Sequence, residues 1–164
     1  MFFVRSIPLA LFELFVMKYK WTELGVRLRG FAPALTIVIC FVLLAVLSRT
    51  IGIAFHGEMM RAHGSVVIPL VAGFESALSE EFFRFIWQTR LGALLDNSAC
   101  GWLIASLLWA CLHTPQLHGH GGWLSAFDFA LNIAPTGLLW GYATHRTRSI
   151  LPSVVLHGLN YWGL

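Results

Sequence analysis

The sequence predicts an all-α polytopic transmembrane bundle of about four to five spans, and three observations carry that prediction. Hydrophobic residues make up 57% of the 164 and charged residues 12%, with a mean hydropathy of +0.72; a soluble domain is about 25% charged. The apolar residues come in long blocks, since no Asp, Glu, Lys or Arg interrupts 30–48, 62–74, 97–127, 129–145 or 150–164. These blocks are continuous rather than alternating, which favours helices over a membrane barrel.

The chain opens with Arg5 and an apolar stretch that Glu13 interrupts, with no A-x-A site behind it, so a membrane-associated or truncated first helix is expected rather than a signal peptide. Lys18, Lys20, Arg27 and Arg29 then precede the first clear span, 31–48 with extension toward 55, and mark their side as cytoplasmic. A mixed far-side loop with Arg49, His56, Glu58, Arg61 and His63 follows, and about 66–95 runs back with Pro69 near its start.

Asp96, Asn97 and Ser98 form a turn with helix-capping chemistry, 99–113 returns across the membrane, and Thr114 and Pro115 break it. After a His- and Gly-rich loop at 116–122, the span 123–144 holds Pro135, Arg146 and Arg148 lie on the cytoplasmic side, and 150–164 is the last helix. The chain thus divides into an amphipathic or transmembrane N-terminal region, 1–64, and a core, 65–164. The basic charge, +3 with a pI near 9.0, sits at the ends of apolar runs and sets orientation, so no nucleic-acid partner is expected. Cys40, Cys100 and Cys111 lack CxxC spacing and read as small buried hydrophobes, and the Trp and Phe residues as interfacial anchors and lipid-facing surface.

An ionisable group in the middle of a membrane helix costs roughly 2.5 to 3.5 kcal/mol on insertion scales, so each such group is a functional candidate. The helix at 66–95 holds Glu75, Glu80, Glu81 and Arg84 before Arg90 near its end. At about 100° per residue, Glu80, Glu81, Arg84 and Gln88 share one face and Glu75 points away. One carboxylate can pair with Arg84 as packing; the other is then a spare acid suited to general-base work. His113 and His157 lie in two further apolar helices, where a lone histidine is more often a core residue; with a spare acid it can also bind metal or orient a water. Asp128 and Asn132, four apart, are expected to line the cavity rather than catalyse, and His118 and His120 to be ordinary solvated loop residues.

Three segments, SEEFFRFIWQTR from Ser79 to Arg90, LLWACLH from Leu107 to His113 and GYATHRTRSILPSVVLHGLN from Gly141 to Asn160, resemble in order the signatures of the CPBP family. These are the CAAX-processing and bacteriocin-processing intramembrane proteases, also called the Abi family. Their pattern is EExxxR, then FxxxH, then a Gly-Tyr turn and basic loop leading into HxxxN, and the resemblance covers about 66–164. It implies a helical bundle with a water-filled cavity in which a glutamate and a histidine activate water against a peptide bond. The implied setting is a multi-pass protein of the bacterial cytoplasmic membrane, acting on a peptide or protein substrate that in some members is prenylated.

Carried over by the resemblance, Glu80 is the water-activating acid, Glu81 its partner held by Arg84, His113 and His157 the two motif histidines, and Asn160 the oxyanion-stabilising amide. Arg84 follows Glu81 by three residues where the family has four, so two registers fit. One keeps the pair Glu80 and Glu81; the other keeps Glu-x-x-x-Arg, makes Glu80 the partner, and leaves Ser79 at the acid's position with Glu75 as stand-in. Asn160 stands three residues past His157 with Tyr161 at the fourth, and Trp109 replaces the motif Phe. Metal is left open: Glu80, His113 and His157 would be the ligands of a zinc ion if one is bound, yet a glutamate and a histidine also activate water without metal. A non-catalytic relative that holds a peptide or partner in the same cavity, as an immunity or scaffold protein would, is the second reading. The oligomeric state is not legible.

Overall fold

The structure, a computed structural model, describes residues 8, 11–27, 31–50, 67–114 and 122–160. Among them every regular element is helical: a π-helical turn Phe12–Val16, then α1 (Phe31–Thr50), α2 (Val67–Leu94), α3 (Ser98–Cys111), α4 (Gly122–Thr147) and α5 (Leu151–Asn160). The expected loop at 49–63, the His-rich loop with His118 and His120, and Tyr161 lie wholly or largely outside the described residues.

The α2–α3 turn forms as its residues dictate. Asn97 caps α3, its Oδ1 accepting from the amides of Ala99 at 3.0 Å and Cys100 at 3.1 Å, while Asp96 takes a left-handed φ of 47°. Beyond the turn the two helices close on small residues: a Cβ on Gly101 would fall 2.7 Å from the Cα of Gly92 and onto the carbonyl oxygen of Gln88. The same device brings α5 onto α2, because a Cβ on Gly158 would meet the Phe74 ring at 2.7 Å. At the α4–α5 corner, Ser153 Oγ donates to the Trp140 carbonyl at 2.7 Å and pairs with Thr144. The N-terminal turn pins that corner, with the Gly25 carbonyl accepting from Ile150 N at 2.9 Å and Ser149 Oγ donating to the Arg27 carbonyl at 2.8 Å.

Two apolar clusters result. Leu24, Ala77, Phe82, Phe85, Ile150 and Val154 form one, and Trp109, Ala110, Trp140, Ala143 and Leu156 the other, with Ile37 and Val38 of α1 against the second. Trp109, Trp140, Phe82 and Phe85 are therefore core residues, which corrects the reading of the aromatics as surface and anchors. The three cysteines are exposed rather than buried, because they fall on outward helix faces.

Among the described residues no helix is long and apolar enough to cross a membrane. α2 and α4 have the length, but Glu75, Glu80, Glu81, Arg84 and Arg90 interrupt the first, and Asp128 and Asn132 dilute the second. α3 and α5, of 14 and 10 residues, span only about 21 and 15 Å. α1 has 20 residues with Arg49 as their one charge, and part of its side chains lies outside the description. Large apolar side chains nonetheless face outward, and several polar ones lie inside beside the apolar clusters. Leu124 is 89% and Leu131 73% exposed, with Leu43, Leu47 and Leu103 also outward, while Ser79, Glu81, Arg84, Gln88 and His157 are buried.

Candidate active site

α2 presents Glu80, Glu81, Arg84 and Gln88 along its inner face, and α3 and α5 bring His113 and His157 to the same place. The Glu80 Oε2 atom lies 3.7 Å from His113 Nε2 and 3.8 Å from His157 Nε2, so one carboxylate oxygen stands between two imidazoles from different helices. Those separations exceed a direct hydrogen bond and suit a small bridging molecule. The Glu80 side chain is 12% and the His113 side chain 23% exposed, against 5% for His157, so the approach is from the His113 side.

Each imidazole is oriented through its other nitrogen. His113 Nδ1 is 2.9 Å from the Trp109 carbonyl, which can only accept, so Nδ1 carries a proton, and in the neutral ring Nε2 holds the lone pair facing Glu80. His157 Nδ1 is 3.0 Å from Glu81 Oε1 and donates to it for the same reason. Its ring stacks on Trp140, centroids 4.0 Å apart at 18°, and meets the Trp109 edge at 5.8 Å. The other Glu81 oxygen takes Arg84, whose guanidinium sits over Trp109 at 5.5 Å and Trp140 at 5.9 Å.

Glu81 and Arg84 thus bear on His157, whereas the sequence assigned them to Glu80. Glu80 is instead held by two residues whose part the sequence reading missed. Trp109 Nε1 donates to its Oε2 at 2.8 Å, and Ser76 Oγ donates to its Oε1 at 2.9 Å. The signals were present: Ser76 precedes Glu80 by one helical turn, and an indole at the motif's Phe position adds a donor that Phe lacks.

The remaining candidates separate. Asn160 ends α5 half-buried, three residues past His157. Ser79 is buried, and Glu75, the stand-in of the second register, is exposed away from the histidines. Asp128 and Asn132 do not line the cavity: both are exposed, and Asn132 Nδ2 donates to the Asp128 carbonyl at 2.9 Å. Among the described residues no group of three His, Cys, Asp or Glu side chains is placed to hold a metal ion, so Glu80, His113 and His157 do not form the zinc set that the sequence left open.

Residues 61–163 match the family model for Rce1-like proteins, described as type II CAAX prenyl endopeptidase Rce1-like. No curated protein and no solved structure matches the chain. Since the match takes in well over half of the 164 residues and all three motif segments, the chain belongs to the Rce1-like family of type II CAAX prenyl endopeptidases.

Proposed function

We propose that the protein is an intramembrane endopeptidase that hydrolyses a peptide bond with a water held by Glu80 and His113. The family supports a peptide or protein substrate and a protease. The observation that carries the mechanism is Glu80 Oε2 poised at 3.7 and 3.8 Å from the two Nε2 atoms. A water in that space donates one proton to Glu80 and the other toward the His113 lone pair, which leaves an oxygen lone pair for the substrate carbonyl carbon. Attack forms the C–O bond and moves the carbonyl π pair onto oxygen. As an imidazolium, His157 donates from Nε2 to that oxyanion while Glu81, paired with Arg84, accepts from Nδ1. Asn160, one turn along α5, is the second donor. Glu80 then passes its proton to the leaving amine as the C–N bond breaks.

The reading places α1 to α5 in a bilayer. An apolar exterior around a buried Glu-Arg-His set is the arrangement that lipid requires and water penalises.

The test is cleavage of a quenched fluorescent peptide library by the detergent-solubilised protein, with farnesylated and unmodified C-terminal peptides included. Activity abolished by Glu80→Gln supports the mechanism, and preference for the farnesylated peptide assigns a prenylated substrate. An inert parent that Ser79→Glu awakens would instead mark a non-catalytic protein and make the second register correct.

A further inference from the structure

A cavity of about 890 Å³ lies at the end of the bundle where the N-terminal turn, the end of α2, the start of α3 and the end of α4 meet. It is separate from the Glu80 site: its innermost α2 residues, Phe85 and Gln88, are five and eight positions further along the helix, about 8 and 12 Å at 1.5 Å per residue. Four arginines line it, Arg27, Arg90, Arg146 and Arg148, against the acids Glu23 and Asp96. Glu23 is partly engaged, accepting from the Lys20 amide at 2.7 Å. Arg90 is tethered, 3.5 Å from Glu13 and with its guanidinium 4.7 Å over the Tyr19 ring. Arg148 is set by a left-handed φ of 51° and its amide's bond to the Thr144 carbonyl at 2.8 Å. Planar guanidinium groups from three chain segments around one space are suited to a phosphate, which they bind two oxygens at a time.

We infer that this cavity binds a phosphate ester, the arginines taking the phosphate. That chemistry is shared by a phospholipid headgroup and by a free phosphate ester such as glycerol 3-phosphate. The volume lies in the range of small-molecule sites, and the position, at the end the sequence assigns to the basic membrane face, is open to either source.

The test uses the purified full chain in a neutral detergent, titrated by calorimetry with inorganic phosphate, glycerol 3-phosphate and dihexanoyl phosphatidylglycerol. Glycerol 3-phosphate is expected to bind, and the double variant Arg146→Gln with Arg148→Gln, both exposed and so compatible with folding, to weaken it about tenfold or more. The lipid binding more than about tenfold tighter than glycerol 3-phosphate identifies a headgroup with its acyl chains; equal affinity identifies the free ester. Absence of binding by every probe, or parental affinity in the double arginine variant, overturns the inference. Since the readout is binding, Glu80→Gln should behave as the parent, and failure of the peptidase reading would leave this result intact.

Discussion

The indole Nε1 of Trp109 donates a hydrogen bond of 2.8 Å to the Glu80 carboxylate, and the carbonyl of the same Trp109 lies 2.9 Å from His113 Nδ1. One residue therefore sets both the Glu80 acid and the His113 imidazole that stands 3.7 Å from it. Trp109→Phe keeps the ring and the backbone carbonyl but removes the donor. A hydrogen bond to a charged group contributes about 1.5 to 3 kcal/mol, so kcat should fall roughly ten- to a hundredfold with KM little changed. A fall in KM with kcat intact would remove Trp109 from the positioning of Glu80.

The buried Glu81–Arg84 pair should dominate stability as well as activity. Arg84 is 1% exposed, and removing one partner of a buried pair leaves an uncompensated charge, worth about 3 to 5 kcal/mol. Thermal unfolding in detergent should therefore show a large loss for Arg84→Met. Replacing both partners, Glu81→Leu with Arg84→Met, should recover most of that loss, since an apolar pair of similar volume is often neutral. Peptide cleavage should stay low in the double variant, because His157 Nδ1 has lost its acceptor. Recovery of cleavage along with stability would sever Glu81 from His157's function.

Much of this arrangement is legible in the residues. The helical period put Glu80, Glu81, Arg84 and Gln88 on one face and Glu75 off it, and Glu81, Arg84 and Gln88 are buried while Glu75 is exposed. Asn97 announced the cap of α3, and the expected spans fell close to the observed helices. What periodicity along one helix cannot supply is the partner across helices. Whether Glu81 serves Glu80 or His157 depends on how closely α5 approaches α2, and that is set by Gly158 against Phe74. The same limit applied to Trp109 and Trp140: in composition they are membrane-facing aromatics, and only packing turns them inward onto His157. Asp128 and Asn132, four apart, satisfy one another on the outer surface, a local bond that polarity alone could not distinguish from a cavity wall.

The α2–α3 crossing gives a prediction independent of catalysis. Any Cβ on Gly101 collides with the backbone of Gln88 and Gly92, which is not a flexible side-chain end and cannot swing aside. Gly101→Val should cost more than the roughly 1 to 3 kcal/mol typical of overpacking. It should also displace His113, which follows the C-terminal end of α3, so cleavage should fall with the unfolding temperature. Gly122→Ala probes another feature, since Gly122 has a φ of 76° and open space around it, and only backbone strain should be felt there. Unfolding temperatures of the two variants that coincide would contradict the packing argument.

Asn160 gives the sharpest separation of catalysis from folding. It is half-buried at the end of α5, and its proposed task exists only while an oxyanion is present. An amide donor of that kind contributes about 3 kcal/mol to the transition state, so Asn160→Ala should lower kcat roughly a hundredfold and leave KM nearly unchanged. Stability should move little, since the side chain makes no described hydrogen bond that folding depends on. Asn160→Asp is the informative companion: it keeps the shape but replaces the N–H donor with a carboxylate whose charge opposes that of the oxyanion, so it should be at least as slow as the alanine variant. If Asn160→Asp cleaves at the parental rate, donation to the oxyanion falls to His157 alone, and the double change with His157→Ala should then be no worse than His157→Ala by itself.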